Sequence, residues 1–201
     1  MSLAISPAGS SSKSFVTSDR VHLDHLRTCL ELSLKCEVSP TAFCVGSILV
    51  LPSPPGKECS GPGLVLSTGY SREPPRPTSH AESSAVFKLL ALSEDELCQL
   101  LNKQEGERWE GSETWSVEDL LKKADCYTTL EPCSVRTSGQ PDCARLLAKY
   151  QVNRVFLGVE EPPDFVDCAG SRLLSEAGVE VYRVGGLERE CLEYARRGRN
   201  D

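Results

Sequence analysis

The chain has 201 residues, 39% of them hydrophobic and 25% charged, which is enough apolar material for a single globular domain with its own core. Its 29 acidic and 22 basic side chains give a net charge of −7, so it has no general attraction for nucleic-acid phosphates. No window approaches the roughly 18 apolar residues of a membrane span. Neither a nucleic acid nor a membrane is therefore expected as a partner.

Residues 1–17, beginning "MSLAISPAGSSSKSF", are Ser-rich and lack the charged and apolar regions of a secretory signal. They predict a disordered lead-in to a domain over 18–198, with 199–201 as a tail. Of the ten cysteines, Cys29, Cys36, Cys44, Cys98 and Cys191 lie in apolar-patterned segments. Without a secretory signal they read as reduced, small hydrophobes of a cytoplasmic protein.

The spacing of Val21, Leu23, Leu26, Leu30 and Leu34 predicts an amphipathic helix over 19–36, with Asp19 as its N-cap. "FCVGSILVL" at 43–51 reads as a buried strand. A Pro/Gly loop (52–63) leads to a second strand at 64–71, antiparallel to the first. Prolines forbid regular structure at 72–79, and an apolar helix follows over 80–92. Residues 93–124 are acidic and irregular and read as an insertion or lid. Strands at 125–130, 152–160 and 179–184 then alternate with helices, an order that demands parallel strands and crossovers. The expectation is an α/β protein, a three-layer α/β/α sandwich around a five-stranded mixed sheet.

Within this frame, "TSHAESSAV" places His80 and Glu82 at a helix start, in a chain with only three histidines. "TLEPCSVRTSGQPDC" places Cys133 at a strand end, after Pro132, and Cys143 across a loop. All three potential ligands fall at element ends on the side where α/β sites form. One histidine and two thiolates would hold a zinc ion with its fourth position open to water, whose pKa zinc lowers to near 7. Glu82, two residues from a ligand, can lean over that water and move its proton. The combination is the His-x-Glu … Pro-Cys … Cys signature of zinc deaminases, although nine residues separate these cysteines instead of the Pro-Cys-x-x-Cys spacing.

That segment resembles the pyrimidine deaminases of riboflavin biosynthesis, especially the fungal form. So do "SPTAFCVGSILV", "LSTGYSRE", "VNRVFLGVEEPPDFV" and "LLSEAGVEVYRVGGLERECLEYARRG"; the similarity spans roughly 24–198 and is weakest at 93–124. The resemblance implies a cytidine-deaminase-like fold and a Zn2+ cofactor on His80, Cys133 and Cys143, with Glu82 as catalytic acid–base. It implies hydrolytic loss of the 2-amino group from a phosphorylated 2,5-diamino-6-ribitylamino-pyrimidinone. The backbone at Ala81 should face the ring, with Arg136 and Ser138 on the sugar-phosphate. Thr41, Ser71, Arg72, Asp164 and Phe165 are further substrate-binding candidates.

Two other readings stay open: a deaminase of another pyrimidine nucleoside or nucleotide, and an inactive structural zinc module. The latter needs a fourth protein ligand, for which Cys126 and Cys168 are the available donors. A monomer is favoured over a dimer, because loops 52–63 and 72–79 and the segment 93–124 could wall the pocket within one subunit. An acidic, proline-bearing surface also makes a poor apolar interface.

Overall fold

A computed structural model describes residues 14–17, 19–54, 61–102, 109, 111–136, 141–160 and 169–200. The strands are β1 (Ser14–Thr17), β2 (Gly46–Leu51), β3 (Leu64–Tyr70), β4 (Asp125–Leu130), β5 (Arg154–Val159) and β6 (Glu180–Val184). The helices are α1 (Arg20–Ser33), α2 (Ala81–Leu90), α3 (Glu94–Asn102), α4 (Val117–Lys123), α5 (Cys143–Lys149), α6 (Gly170–Glu176) and α7 (Glu188–Ala195).

One sheet runs β1-β6-β5-β4-β2-β3. The β4–β5, β5–β6 and β6–β1 pairs are parallel, whereas β2 is antiparallel to both β3 and β4. The five expected strands and their mixed order are present. Residues of β2 and β4 are buried throughout, as befits central strands covered on both faces.

Alternation along the strands sorts the core into two layers. Ile48, Val50, Tyr127 and Phe156 face α1 and α7, while Leu49, Leu51, Cys126 and Leu157 face α2 and α5. Helix α2 sits unusually close to β3. A Cβ on Gly69 would lie 2.1 Å from the Ala81 carbonyl oxygen and 2.6 Å from the Ala85 nitrogen. Only glycine permits this approach, and it seats the first turn of α2 against the sheet.

Two expectations are corrected. Residues 14–17, read as part of a disordered lead-in, form an edge strand paired in register from Ser14↔Val181 to Thr17↔Val184. The Phe-Val-Thr run favours extended backbone, and the open edge of β6 supplies hydrogen-bond partners; residues 1–13 lie outside the described set. Asp19 is the N-cap of α1 as expected, without a capping bond from its side chain. Segment 93–124 is not a lid in its described part. Leu97, Trp109, Leu120 and Leu121 are buried in the same core layer as α2, and none of its described residues lines the cleft described next.

Candidate active site

Three element ends meet at the carboxyl end of β4. His80 is the N-cap of α2, in extended backbone at φ −93°, ψ 159°. Its N–H donates to Ser83 Oγ at 3.1 Å, and the Ser83 hydroxyl donates back to the His80 carbonyl at 2.9 Å. Cys133 follows β4 by three residues, and Cys143 opens α5, whose N-cap Asp142 accepts from the Arg145 N–H at 2.9 Å. The loop between the cysteines is closed by the Ala144 N–H donating to the Cys133 carbonyl at 3.1 Å.

His80 Nδ1 lies 3.4 Å from Cys133 Sγ and 3.5 Å from Cys143 Sγ, and the three ligand atoms are all within 4.8 Å of one another. Two thiolates and an imidazole around tetrahedral zinc would put nitrogen and sulfur about 3.5 Å apart. The donor set and its spacing therefore fit zinc. A hydrogen bond from Cys143 is the main influence lowering the Cys133 thiol to about 4, with His80 helping and burial opposing. Donating that bond, together with full burial, pushes the Cys143 thiol up. A cation held by both sulfurs would require both thiols to lose their protons.

Glu82 is 4% exposed on the first turn of α2. Burial raises its carboxyl above the usual range; the Cys133 charge adds to this and His80 opposes it. Its Oε1 is 3.1 Å from the hydroxyl of Thr128, which also lies 3.0 Å from the Leu130 carbonyl; its one hydrogen serves one acceptor at a time. A buried carboxyl of raised pKa, beside a metal-type donor set, is equipped to accept and return protons.

These groups form the floor of a cleft of about 360 Å³, walled by Phe43, Val45, Leu130 and the Pro-rich loop. Thr41, Ser71 and Arg72 line it as expected, but two of them are engaged with the fold. Ser71 Oγ accepts from the Val45 N–H at 3.1 Å. Arg72 donates from Nε to the Glu37 carbonyl (2.8 Å), from Nη1 to that of Phe43 (2.9 Å) and from Nη2 to Cys44 Sγ (3.2 Å).

Ala81 is fully buried, its side chain packed with Val45 and Leu130. Arg136 lies outside the cleft lining; it donates to the Thr78 carbonyl and ties the inter-cysteine loop to the Pro-rich loop. Ser138, Asp164 and Phe165 lie outside the described residues.

Among the described residues of the three segments expected to wall the pocket, only those of 72–79 do so. The described ends of 52–63 border a separate depression with His22 and His25. Cys126, one donor for a closed structural site, sits 3.6 Å from Ser47 Oγ and outside the three-ligand group; Cys168 lies outside the described residues. Composition and motif reading miss Thr128, Phe43 and Arg199 altogether. Thr128 stands in a run of β-branched residues that reads as plain core.

Residues 19–159 match the model of the cytidine and deoxycytidylate deaminase zinc-binding region. The diaminohydroxyphosphoribosylamino-pyrimidine deaminase of Schizosaccharomyces pombe is 34% identical over 92% of this chain, which spans only 37% of that relative's length. A crystal structure of Aspergillus oryzae Rib2 deaminase (a C-terminal deletion mutant) is 29% identical, with a TM-score of 0.67 over 90% of this chain and 93% of that one. The same enzyme solved in complex with DARIPP is 27% identical, with a TM-score of 0.66 over 90% and 92% of the two chains. With residues 19–159 matched by the zinc-binding region, and the motif residues assembled in space, the chain belongs to the cytidine and deoxycytidylate deaminase family.

Proposed function

We propose that this protein is a zinc-dependent pyrimidine deaminase of riboflavin biosynthesis. Its substrate is a phosphorylated 2,5-diamino-6-ribitylamino-pyrimidinone, from which it releases the 2-amino group as ammonia. The observation that carries this reading is the buried Glu82 beside the His80–Cys133–Cys143 group at the floor of a cleft. The substrate class is supported by the names of the similar proteins: a diaminohydroxyphosphoribosylamino-pyrimidine deaminase and a Rib2 deaminase that binds DARIPP.

His80, Cys133 and Cys143 would hold the zinc. When bound, the metal supplies Lewis acidity that makes water nucleophilic at neutral pH. Glu82 takes the proton of the attacking water and delivers it to the ring nitrogen beside the reacting carbon. It then serves the departing amine, so that water and the amino compound yield a carbonyl and ammonia. Thr128 holds one oxygen of Glu82 by a hydrogen bond, leaving the other to work. Phe43, Val45 and Leu130 line the cleft with apolar surface for a flat ring, and Thr41 stands at its edge.

The working unit proposed is a monomer, because an acidic, proline-bearing surface makes a poor apolar interface. The eight described cysteines are free, in keeping with a reducing compartment such as the cytoplasm. No helix among the described residues is long and apolar enough to cross a membrane. The test is ammonia release by the zinc-loaded protein from the phosphorylated diaminopyrimidine, with deoxycytidylate and cytidine alongside. Preference for the first supports the proposal; turnover of deoxycytidylate alone overturns the substrate.

A further inference from the structure

Between α1 and β2 the chain from 34 to 45 forms no helix or strand beyond one isolated bridge, Ser39↔Ala42, yet it carries Thr41 and Phe43 into the wall of the active-site cleft. Two guanidiniums from distant parts of the sequence hold it. Arg197, just after α7, donates from Nη2 to the carbonyls of Ser33 (3.0 Å), Leu34 (3.0 Å) and Cys36 (3.1 Å), where the segment leaves α1. A guanidinium there satisfies carbonyls that a helix end leaves unpaired. Arg72, just after β3, grips the remainder. The Glu37 carbonyl accepts from its Nε (2.8 Å) and Nη2 (2.6 Å), the Phe43 carbonyl from its Nη1 (2.9 Å), and Cys44 Sγ from Nη2 (3.2 Å). The Arg72 backbone is at φ +62°, a left-handed conformation uncommon for a residue with a side chain. Its N–H donates to the Ser79 carbonyl at 2.8 Å, one residue before His80. Such a backbone persists only where its surroundings over-determine it.

We propose that Arg72 is a positioning residue for substrate binding, which fixes the Phe43 wall of the cleft against the floor that carries His80 and Glu82. This assignment rests on the deaminase reading given above. The two sides of the cleft meet at this one residue: its backbone N–H ties it to the loop that leads into His80, and its side chain ties it to the segment that carries Phe43. Each of its three side-chain nitrogens donates within the fold, so Arg72 acts through Phe43 and not by touching the substrate. A planar guanidinium fans several donors towards diverging acceptors from one rigid frame, which an ammonium on a flexible stem does not. The Arg199 guanidinium packs over the same Phe43 ring, 4.3 Å from its centroid, so the ring is held by its own carbonyl and by a stacked neighbour.

The test reads KM, kcat, zinc content and hydrogen exchange on the zinc-loaded protein. Arg72→Asn keeps a residue type that tolerates the left-handed backbone and removes the guanidinium. It should raise KM for the phosphorylated pyrimidine about tenfold, the scale of a lost hydrogen bond to a charged group, with kcat within about threefold and zinc unchanged. Backbone amides over 37–44 should exchange faster while those of β2 and β4 stay protected. Phe43→Ala should raise KM by itself, and adding Arg72→Asn to it should change KM by less than about twofold, because the two act as one unit. An unchanged KM, an equal further rise in the Phe43→Ala background, or unaltered exchange over 37–44 would overturn the assignment, while wild-type turnover leaves the substrate reading intact. If Arg72→Asn does not fold, Arg72→Lys is judged by the same measures, with a smaller rise in KM expected. A wild type that ignores the phosphorylated pyrimidine overturns the substrate reading instead; KM is then compared on the pyrimidine it does deaminate, and exchange over 37–44 still decides the role of Arg72.

Discussion

Thr128 Oγ1 lies 3.1 Å from Oε1 of Glu82, so the middle of a central strand holds the group proposed to move protons. Both side chains are buried, at 0% and 4% exposure, and no bulk water replaces this bond if it is lost. A hydroxyl that donates to a carboxylate favours the charged form. Thr128→Val keeps the shape and removes the donor. It should lower kcat about tenfold, as expected for losing a hydrogen bond to a charged group. The acid limb of the pH–rate profile should move to higher pH, because the ionised carboxylate loses support. A lower melting temperature with an unmoved acid limb would leave Thr128 as packing alone.

Cys143 is completely buried at the start of α5, where its backbone N–H donates to Cys133 Sγ at 3.4 Å and its own Sγ lies 3.5 Å from His80 Nδ1. Cys143→Ala should reduce bound zinc from about one per chain to a small fraction, measured by elemental analysis after gel filtration. Activity should fall in parallel. Full zinc content in this variant would remove Cys143 from the ligand set.

Gly69 couples the fold to the site, since α2 carries His80 and Glu82 at its start. Gly69→Ala would force a methyl against the Ala81 carbonyl, which would lie 2.1 Å away. Overpacking of this kind costs about 1–3 kcal/mol, readable as a lower urea midpoint. Displacement of the first turn of α2 should also lower activity in the fraction that remains folded. An unchanged midpoint would show that the helix shifts without strain.

The His22 and His25 side chains give stability a defined pH dependence. His25 is 6% exposed and its Nε2 donates to the Pro62 carbonyl at 2.7 Å. His22 stacks on Phe156 at 4.2 Å and lies 2.9 Å from the Tyr127 hydroxyl. Burial is the main influence lowering both pKa values; Arg154 reinforces it for His22, while Asp125 opposes it for both. Lowered folded values mean that the unfolded chain binds more protons. Stability from these groups is therefore complete above about pH 6.5 and is lost as the pH falls through their folded values. The urea midpoint should drop between pH 7.5 and 5.5, and His22→Phe, which retains a ring for the stack, should flatten that drop. A midpoint that rises on acidification would contradict the sign.

Much of this was legible in the sequence, for physical reasons that differ by element. The zinc-type ligands are readable because each falls within a few residues of an element boundary, marked by Pro132, Asp142 and the prolines at 74, 75 and 77. Once β4 and α2 are recognised, His80, Cys133 and Cys143 must come close. Thr128 is not readable in this way. Its direction depends on the register of β4 between β2 and β5, where Thr128 faces Ser47 and Leu157, and not on any local pattern. Arg199 is harder still. Its place in the cleft depends on the Arg197 clamp, on carbonyls 161 to 164 residues earlier in the chain. The edge strand at 14–17 escapes notice because four residues among serines carry little signal, and its stability comes from β6.

The central claim is that Glu82 carries the protons for a deamination at a metal held by His80, Cys133 and Cys143. The direct measurement is the turnover of Glu82→Gln with zinc content determined on the same sample. The amide keeps the size of the side chain and an oxygen for the Thr128 hydroxyl, but it cannot shuttle a proton. The account predicts roughly a 10²–10⁴-fold loss of kcat, with zinc still near one per chain and a circular dichroism spectrum unchanged from the wild type. A zinc-replete Glu82→Gln protein within about threefold of wild-type turnover, on the 10²–10⁴ scale expected of such a group, would contradict it.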